Sequence, residues 1–243
     1  MDKQTIFCVA WPKSGSTWLT RLMGQVLDCP TGGSMPSEDI KEIATEGLTR
    51  PGPYVIRKGH FRFDEAEYGP VVPYPHVMAY KQIVDEKIVF IYRDPRDICI
   101  SGAWHWRVSP AEFLNRMIRG EVAKCGRWDE YVMGWLGKFD INDGNGFAKT
   151  NYEELLNNTG QEVAWIMFYL GLPELSWQSI QRAIDKQSFS SRVKQVGGDA
   201  SLLRKNNLHV AEVGQWHKYF TPEMTKLIWR EFGQTMEKLG YTK

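Results

Sequence analysis

Paired cysteines, an excess of charge of one sign and long apolar runs are all missing from this sequence, and each absence narrows what the chain can be. The four cysteines, Cys8, Cys29, Cys99 and Cys125, show neither CxxC pairing nor metal-ligand spacing, which argues against a disulfide framework or a structural zinc site. Cys8 and Cys99 sit in apolar runs and are expected as buried thiols. Lysine and arginine total 30 against 29 aspartates and glutamates, a net charge of +1. Neither nucleic acid nor an anionic membrane is therefore expected as partner, and any anionic ligand must be held by a local cluster. No apolar run approaches the roughly 20 residues of a membrane span. The opening MDKQTIFCVAW lacks the basic region and apolar stretch of a secretory signal, so a reducing, cytoplasmic setting is the expectation. Repeats, low-complexity tracts and clear linkers are absent too. Residues 1–243 are read as one domain.

What is present reads as an α/β chain, with 42% hydrophobic and 24% charged residues. Gln4 to Trp11 is a β-prone apolar run, and Leu19, Leu22, Met23, Val26 and Leu27 form one stripe on a helix starting near Ser16. Tyr54 to Arg57 and Lys87 to Tyr92 (KIVFIY) read as further strands, with a helix from Asp97. Tyr152 to Leu170 reads as one helix stopped by Gly171 and Pro173. Strands alternating with helices predict a mostly parallel sheet covered on both faces. Ligands then bind at strand carboxyl ends, so the segments after Trp11, Arg57 and Tyr92 should converge. Residues 28–53, rich in Gly, Pro, Ser and acidic side chains, read as a loop or acceptor-side lid, and residues 194–211 as a similar loop with three cations.

Three clusters carry chemistry. Pro12-Lys13-Ser14-Gly15-Ser16-Thr17-Trp18 joins strand to helix, where first-turn N–H groups and the positive dipole end suit a phosphate or sulfate. The competing reading is a plain helix start capped by Ser16 or Thr17. Lys13 precedes the glycine, so this is not the GxxxxGK[ST] loop. At the end of KIVFIY, Arg93 can fork onto a phosphate that Ser101 also reaches, unless Arg93, Asp94, Arg96 and Asp97 are only a solvated ion-pair cluster. Lys58 and His60 follow the second strand, where the histidine competes with His76, His105, His209 and His217 for any role.

These residues together resemble the PAPS-dependent sulfotransferases. WPKSGSTW is similar to that family's 5′-phosphosulfate loop, with Ser16 in place of Thr, and RDPRDICIS (Arg93 to Ser101) is similar to its 3′-phosphate segment. Lys58-Gly59-His60 stands where the family has its catalytic Lys-x-His, with Gly59 and Phe61 departing from the commoner Thr and Leu. Arg204-Lys205 with Gly214-Gln215-Trp216 resembles R-K-G-x-x-G-x-W, although Asn206 replaces the glycine and about five extra residues intervene. Tyr152-Glu153-Glu154 and Ser188-Phe189 resemble the segments that contact adenine, and Trp18 the tryptophan that packs on it; a buried aromatic is the alternative for each. The chain is shorter than typical members, mainly between Lys13 and His60.

The resemblance implies a single-domain sulfotransferase fold and transfer of a sulfuryl group from 3′-phosphoadenosine 5′-phosphosulfate (PAPS), leaving 3′-phosphoadenosine 5′-phosphate (PAP), to a small-molecule acceptor without a metal. It implies catalytic roles for His60, Lys13 and Lys58. Pro12, Lys13, Ser14, Gly15, Ser16, Thr17, Trp18, Arg93, Ser101, Tyr152, Phe189, Arg204 and Lys205 would hold the nucleotide. Two other readings stay open: a nucleotide-dependent kinase, which would want Lys directly before Ser/Thr and a strand-end Asp for magnesium, and a non-catalytic nucleotide-binding module. For the acceptor, Trp104, Trp106, Trp128, Tyr131 and Trp135 could line an aromatic pocket or simply fill the core, and the acidic run at 38–46 would favour a cation. Oligomeric state is not legible.

Overall fold

A computed structural model describes residues 3–35, 50–63, 87–137, 146–188, 190–191, 194 and 212–243. Five strands form one sheet: β1 (Gln4–Val9), β2 (Thr31–Met35), β3 (Tyr54–Gly59), β4 (Lys87–Tyr92) and β5 (Phe147–Asn151), in the order β2-β3-β1-β4-β5. Every pairing is parallel. Helices are α1 (Ser16–Val26), α2 (Pro95–Trp106), α3 (Pro110–Ile118), α4 (Trp128–Leu136), α5 (Tyr152–Asn157), α6 (Thr159–Tyr169), α7 (Trp177–Gln187) and α8 (Pro222–Lys238), with a short 3-10 turn at Gln215–Lys218.

Side chains alternate across a strand, and here the alternation builds two cores. Phe7, Val9, Ile88, Phe90 and Phe147 face one layer, filled by α2, α3, α4 and α8. Ile6, Cys8, Val89, Ile91 and Ala148 face the other, filled by α1, α5, α6 and α7. Because β1 lies between β3 and β4, the chain leaves it toward one edge and later fills the opposite side, a switch point at the strand carboxyl ends.

Several expectations need correcting. Residues 28–53 are not only loop, because Thr31–Met35 is an edge strand on β3. Tyr152 to Leu170 is two helices, since Asn158 at φ −129°, ψ 41° interrupts the α geometry. The strand β3 runs on through Lys58 to Gly59, and α2 begins at Pro95, capped by the Asp94 carboxylate, which accepts the Arg96 N–H. The strand β5 and the helices α3, α4, α7 and α8 were not foreseen. Trp128, Tyr131 and Trp135 fill the core, and Trp106 stacks on Phe113; Trp104 is exposed.

Candidate active site

Strand register brings the predicted segments together. Val9 of β1 lies opposite both Gly59 of β3 and Phe90 of β4, so β1 and β3 end level and β4 runs two residues further, to Tyr92. The Ala10 N–H continues the ladder to the Gly59 carbonyl at 3.1 Å. One residue on, His60 Nδ1 lies 2.6 Å from the Ala10 carbonyl. A carbonyl only accepts, so Nδ1 carries the proton, and in neutral imidazole the lone pair is then on Nε2. The chain around His60 is fixed from behind: Cys125 Sγ donates to the His60 carbonyl, Trp135 Nε1 to that of Phe61, and Trp11 Nε1 to that of Gly126.

The loop after β1 turns sharply. Ser14 N–H donates to the Trp11 carbonyl at 3.2 Å, and Lys13 (φ 72°) and Gly15 (φ 99°) both take left-handed conformations. At Gly15 no other residue fits, because a Cβ would come within 2.5 Å of Tyr152 Cδ2. Helix α1 starts at Ser16 without a side-chain cap, which removes the reading in which Ser16 or Thr17 closes the helix. Its first-turn N–H groups thus point into the loop with the positive end of the helix dipole. Ser14 is fully buried, yet its hydroxyl has no partner among the described residues.

Arg93, only 6% exposed, crosses this space from the end of β4. Its Nη1 lies 3.4 Å from the Lys13 carbonyl, and its Nη2 donates to the Glu212 carbonyl at 3.2 Å. The guanidinium stands 4.1 Å over the ring of Tyr152, whose edge meets Trp18. Arg93 Nε is buried and has no partner among the described residues. Ser14 Oγ and Arg93 Nε are thus orphaned buried groups on the two loops flanking the switch point, which an anion's oxygens would satisfy. The solvated ion-pair reading of Arg93, Asp94, Arg96 and Asp97 does not hold, because all four are buried.

A second layer backs the strand end. Asp94 forks onto Arg96 at 2.8–3.1 Å, and its N–H donates to Glu153 Oε1 at 3.0 Å. Tyr241 hydroxyl donates to Glu153 Oε2 at 3.2 Å. Burial first of all raises the Glu153 carboxyl above the usual range, the Asp94 N–H and Arg93 pulling it back. Asp97 accepts the Gly214 and Trp216 N–H groups, and burial raises its carboxyl likewise. Sequence reasoning named Asp97 and Glu153 only as parts of motifs and missed Tyr241.

Of the other expected residues, Pro12 and Ser16 are buried, while Lys13, Thr17 and Trp18 are half-buried along the loop. Lys58 is buried at the end of β3, one residue before the turn to His60. Ser101 is half-buried in the second turn of α2, and His105, the alternative base, is exposed near that helix's far end. Tyr152 sits against Gly15 as a buried support. Phe189, Arg204 and Lys205 lie outside the described residues. Gly214 and Trp216 stand on the short turn over α2.

The sulfotransferase domain family model matches residues 3–240, so the chain belongs to the sulfotransferases, an enzyme family. Human sulfotransferase 2A1 is 23% identical, over 97% of this chain and 85% of its own length. Mouse sulfotransferase 2B1 is 22% identical, over 89% of this chain and 66% of its own. Among solved structures, mouse sulfotransferase SULT7A1 complexed with PAP shares the fold at TM-score 0.70, with 24% identity over 97% of this chain and 84% of that one. Retinol dehydratase in complex with androsterone and PAP does so at TM-score 0.68, with 18% identity over 96% and 80%.

Proposed function

We propose that this protein moves the sulfuryl group of PAPS to a hydroxyl or amine of a small-molecule acceptor. The observation that supports it most is that β3, β1 and β4 are neighbours ending at the same edge of the sheet, so that the phosphate-type loop, Lys58-Gly59-His60 and Arg93 leave it side by side. The unpartnered Ser14 Oγ and Arg93 Nε fit an anionic donor there. PAP stands in the SULT7A1 structure, and androsterone or retinol beside PAP in retinol dehydratase, which makes apolar alcohols the first acceptors to try.

The donor supplies an activated sulfuryl group for in-line displacement, where positioning and electrostatics do most of the work. Loop residues 12–18 hold its 5′ end; Trp18, Tyr152 and Phe189 attend the base; Arg93, Ser101, Arg204 and Lys205 hold the 3′-phosphate. Lys13 and Lys58 stabilise negative charge appearing at the leaving oxygen. His60, its Nδ1 committed to the Ala10 carbonyl, offers Nε2 to the acceptor's proton. No metal enters this scheme, because the two lysines take the charge-stabilising place.

The test is turnover of PAPS with a panel of hydroxyl and amine acceptors, with and without EDTA. Sulfated product and PAP in both arms is the expected result. Phosphoryl transfer from ATP that needs magnesium would replace the proposal with a kinase. Tight PAP binding without turnover of any acceptor would leave a binding module.

A further inference from the structure

Asp97 is a buried carboxylate to which the proposed chemistry gives no task. It is 1% exposed, on the first turn of α2, four residues past Arg93. Its Oδ2 accepts the Gly214 N–H at 2.7 Å, and its Oδ1 the Trp216 N–H at 3.1 Å. Both donors belong to the start of the 3-10 turn, where Gly214 has φ 78° and no side chain of the turn itself caps it. A carboxylate from another element therefore does the capping, at the end where N–H groups would otherwise lack partners. The same Oδ2 stands 3.8 Å from Arg93 Nη2, which also donates to the Glu212 carbonyl two residues before Gly214. Trp216 is pressed in turn by the Arg96 guanidinium, 4.0 Å from its ring.

We infer that Asp97 is a positioning residue, which locks the Glu212–Trp216 turn and the Arg93 guanidinium in one arrangement so that Arg93 meets the donor's 3′-phosphate. This rests on the donor reading above. Two effects of removing its charge oppose each other. An unpaired Arg93 would attract a phosphate more strongly, whereas a released turn and guanidinium would present it less well. Geometry decides, because Asp97 touches Arg93 only at 3.8 Å but holds two backbone N–H groups at hydrogen-bond distance.

Asp97→Asn keeps the shape but sets an NH2 group against one of the two N–H donors, so at least one contact is lost. The preference for PAP over adenosine 5′-phosphate, measured by calorimetry, should then fall by roughly tenfold, as expected for losing a charge-assisted hydrogen bond. Amide hydrogen exchange at Gly214 and Trp216 should speed up while β1 and β4 amides keep native protection, which separates release of the turn from unfolding. Gly214→Ala reaches the turn from its other side, straining φ 78° while its Cβ meets only His217 at 3.5 Å. It should lower the same preference, and it keeps the test alive if Asp97→Asn does not fold. A preference unchanged within about twofold in the folded variants, with faster exchange at the turn, overturns the positioning role; so does unchanged exchange. Equal binding of PAP and adenosine 5′-phosphate by the unaltered protein overturns the donor reading, and this role with it.

Discussion

A single hydrogen bond sets what His60 can do. With Nδ1 donating to the Ala10 carbonyl, the neutral ring keeps its lone pair on Nε2. His60→Ala should leave PAP affinity within a few-fold and lower turnover about 10²–10⁴-fold, the usual cost of a lost general base. Turnover surviving within a factor of three would take the role from His60. Lys13 has a different signature. It sits in a left-handed turn whose backbone and helix N–H groups can hold a resting anion without it. Lys13→Met should therefore lower kcat and kcat/KM together, on the order of 10²-fold, in single-turnover kinetics at saturating PAPS. A raised KM with an intact chemical step would make Lys13 a binding residue only.

Elements show why some of this was legible and some was not. The strands β1 and β4 announced themselves because each is apolar on both faces, and α1 because its stripe repeats at helical spacing. The strand β2 did not, since TGGSM has little strand preference and forms by pairing along β3 at the sheet edge. The break between α5 and α6 falls at Asn158, with no Pro and with Gly160 already inside α6, and Thr159 Oγ1 donates to the Leu155 carbonyl. Loop, Lys58, His60 and Arg93 were readable as local patterns, whereas the Asp97 contacts join residues 117 and 119 positions apart. The Glu153–Tyr241 tie spans 88 positions. That tie has a pH signature. Burial raises the Glu153 carboxyl above its ordinary 4.5, so its ionised form costs folding stability at neutral pH. Stability attributable to Glu153 should rise as pH falls through the raised folded value and level off below 4.5. Relative to Glu153→Gln, the unaltered protein should gain over that window by at most about 1.4 kcal/mol per pH unit in urea titrations. A constant difference between the two would show that the carboxyl titrates normally.

For the molecule as a whole, the loops that meet at the switch point come from β1, β3 and β4, the middle of the sheet. A ligand gripping all three should stabilise the entire fold and not a corner of it. PAP at a hundredfold excess over its Kd should add about 2.7 kcal/mol to the unfolding free energy. Adenosine 5′-phosphate at the same concentration should add less, and EDTA should change neither value. Loss of the PAP effect on adding EDTA would call for a metal. The sheet also parts the four free cysteines, with Cys8 and Cys29 in one core and Cys99 and Cys125 in the other. Burial pushes the Cys8 thiol up to about 12 and that of Cys99 higher still, so neither reacts as a thiolate while the layers stay closed. Each half of the enzyme therefore carries its own alkylation clock, and the order in which the two pairs label tells which face of the sheet opens first.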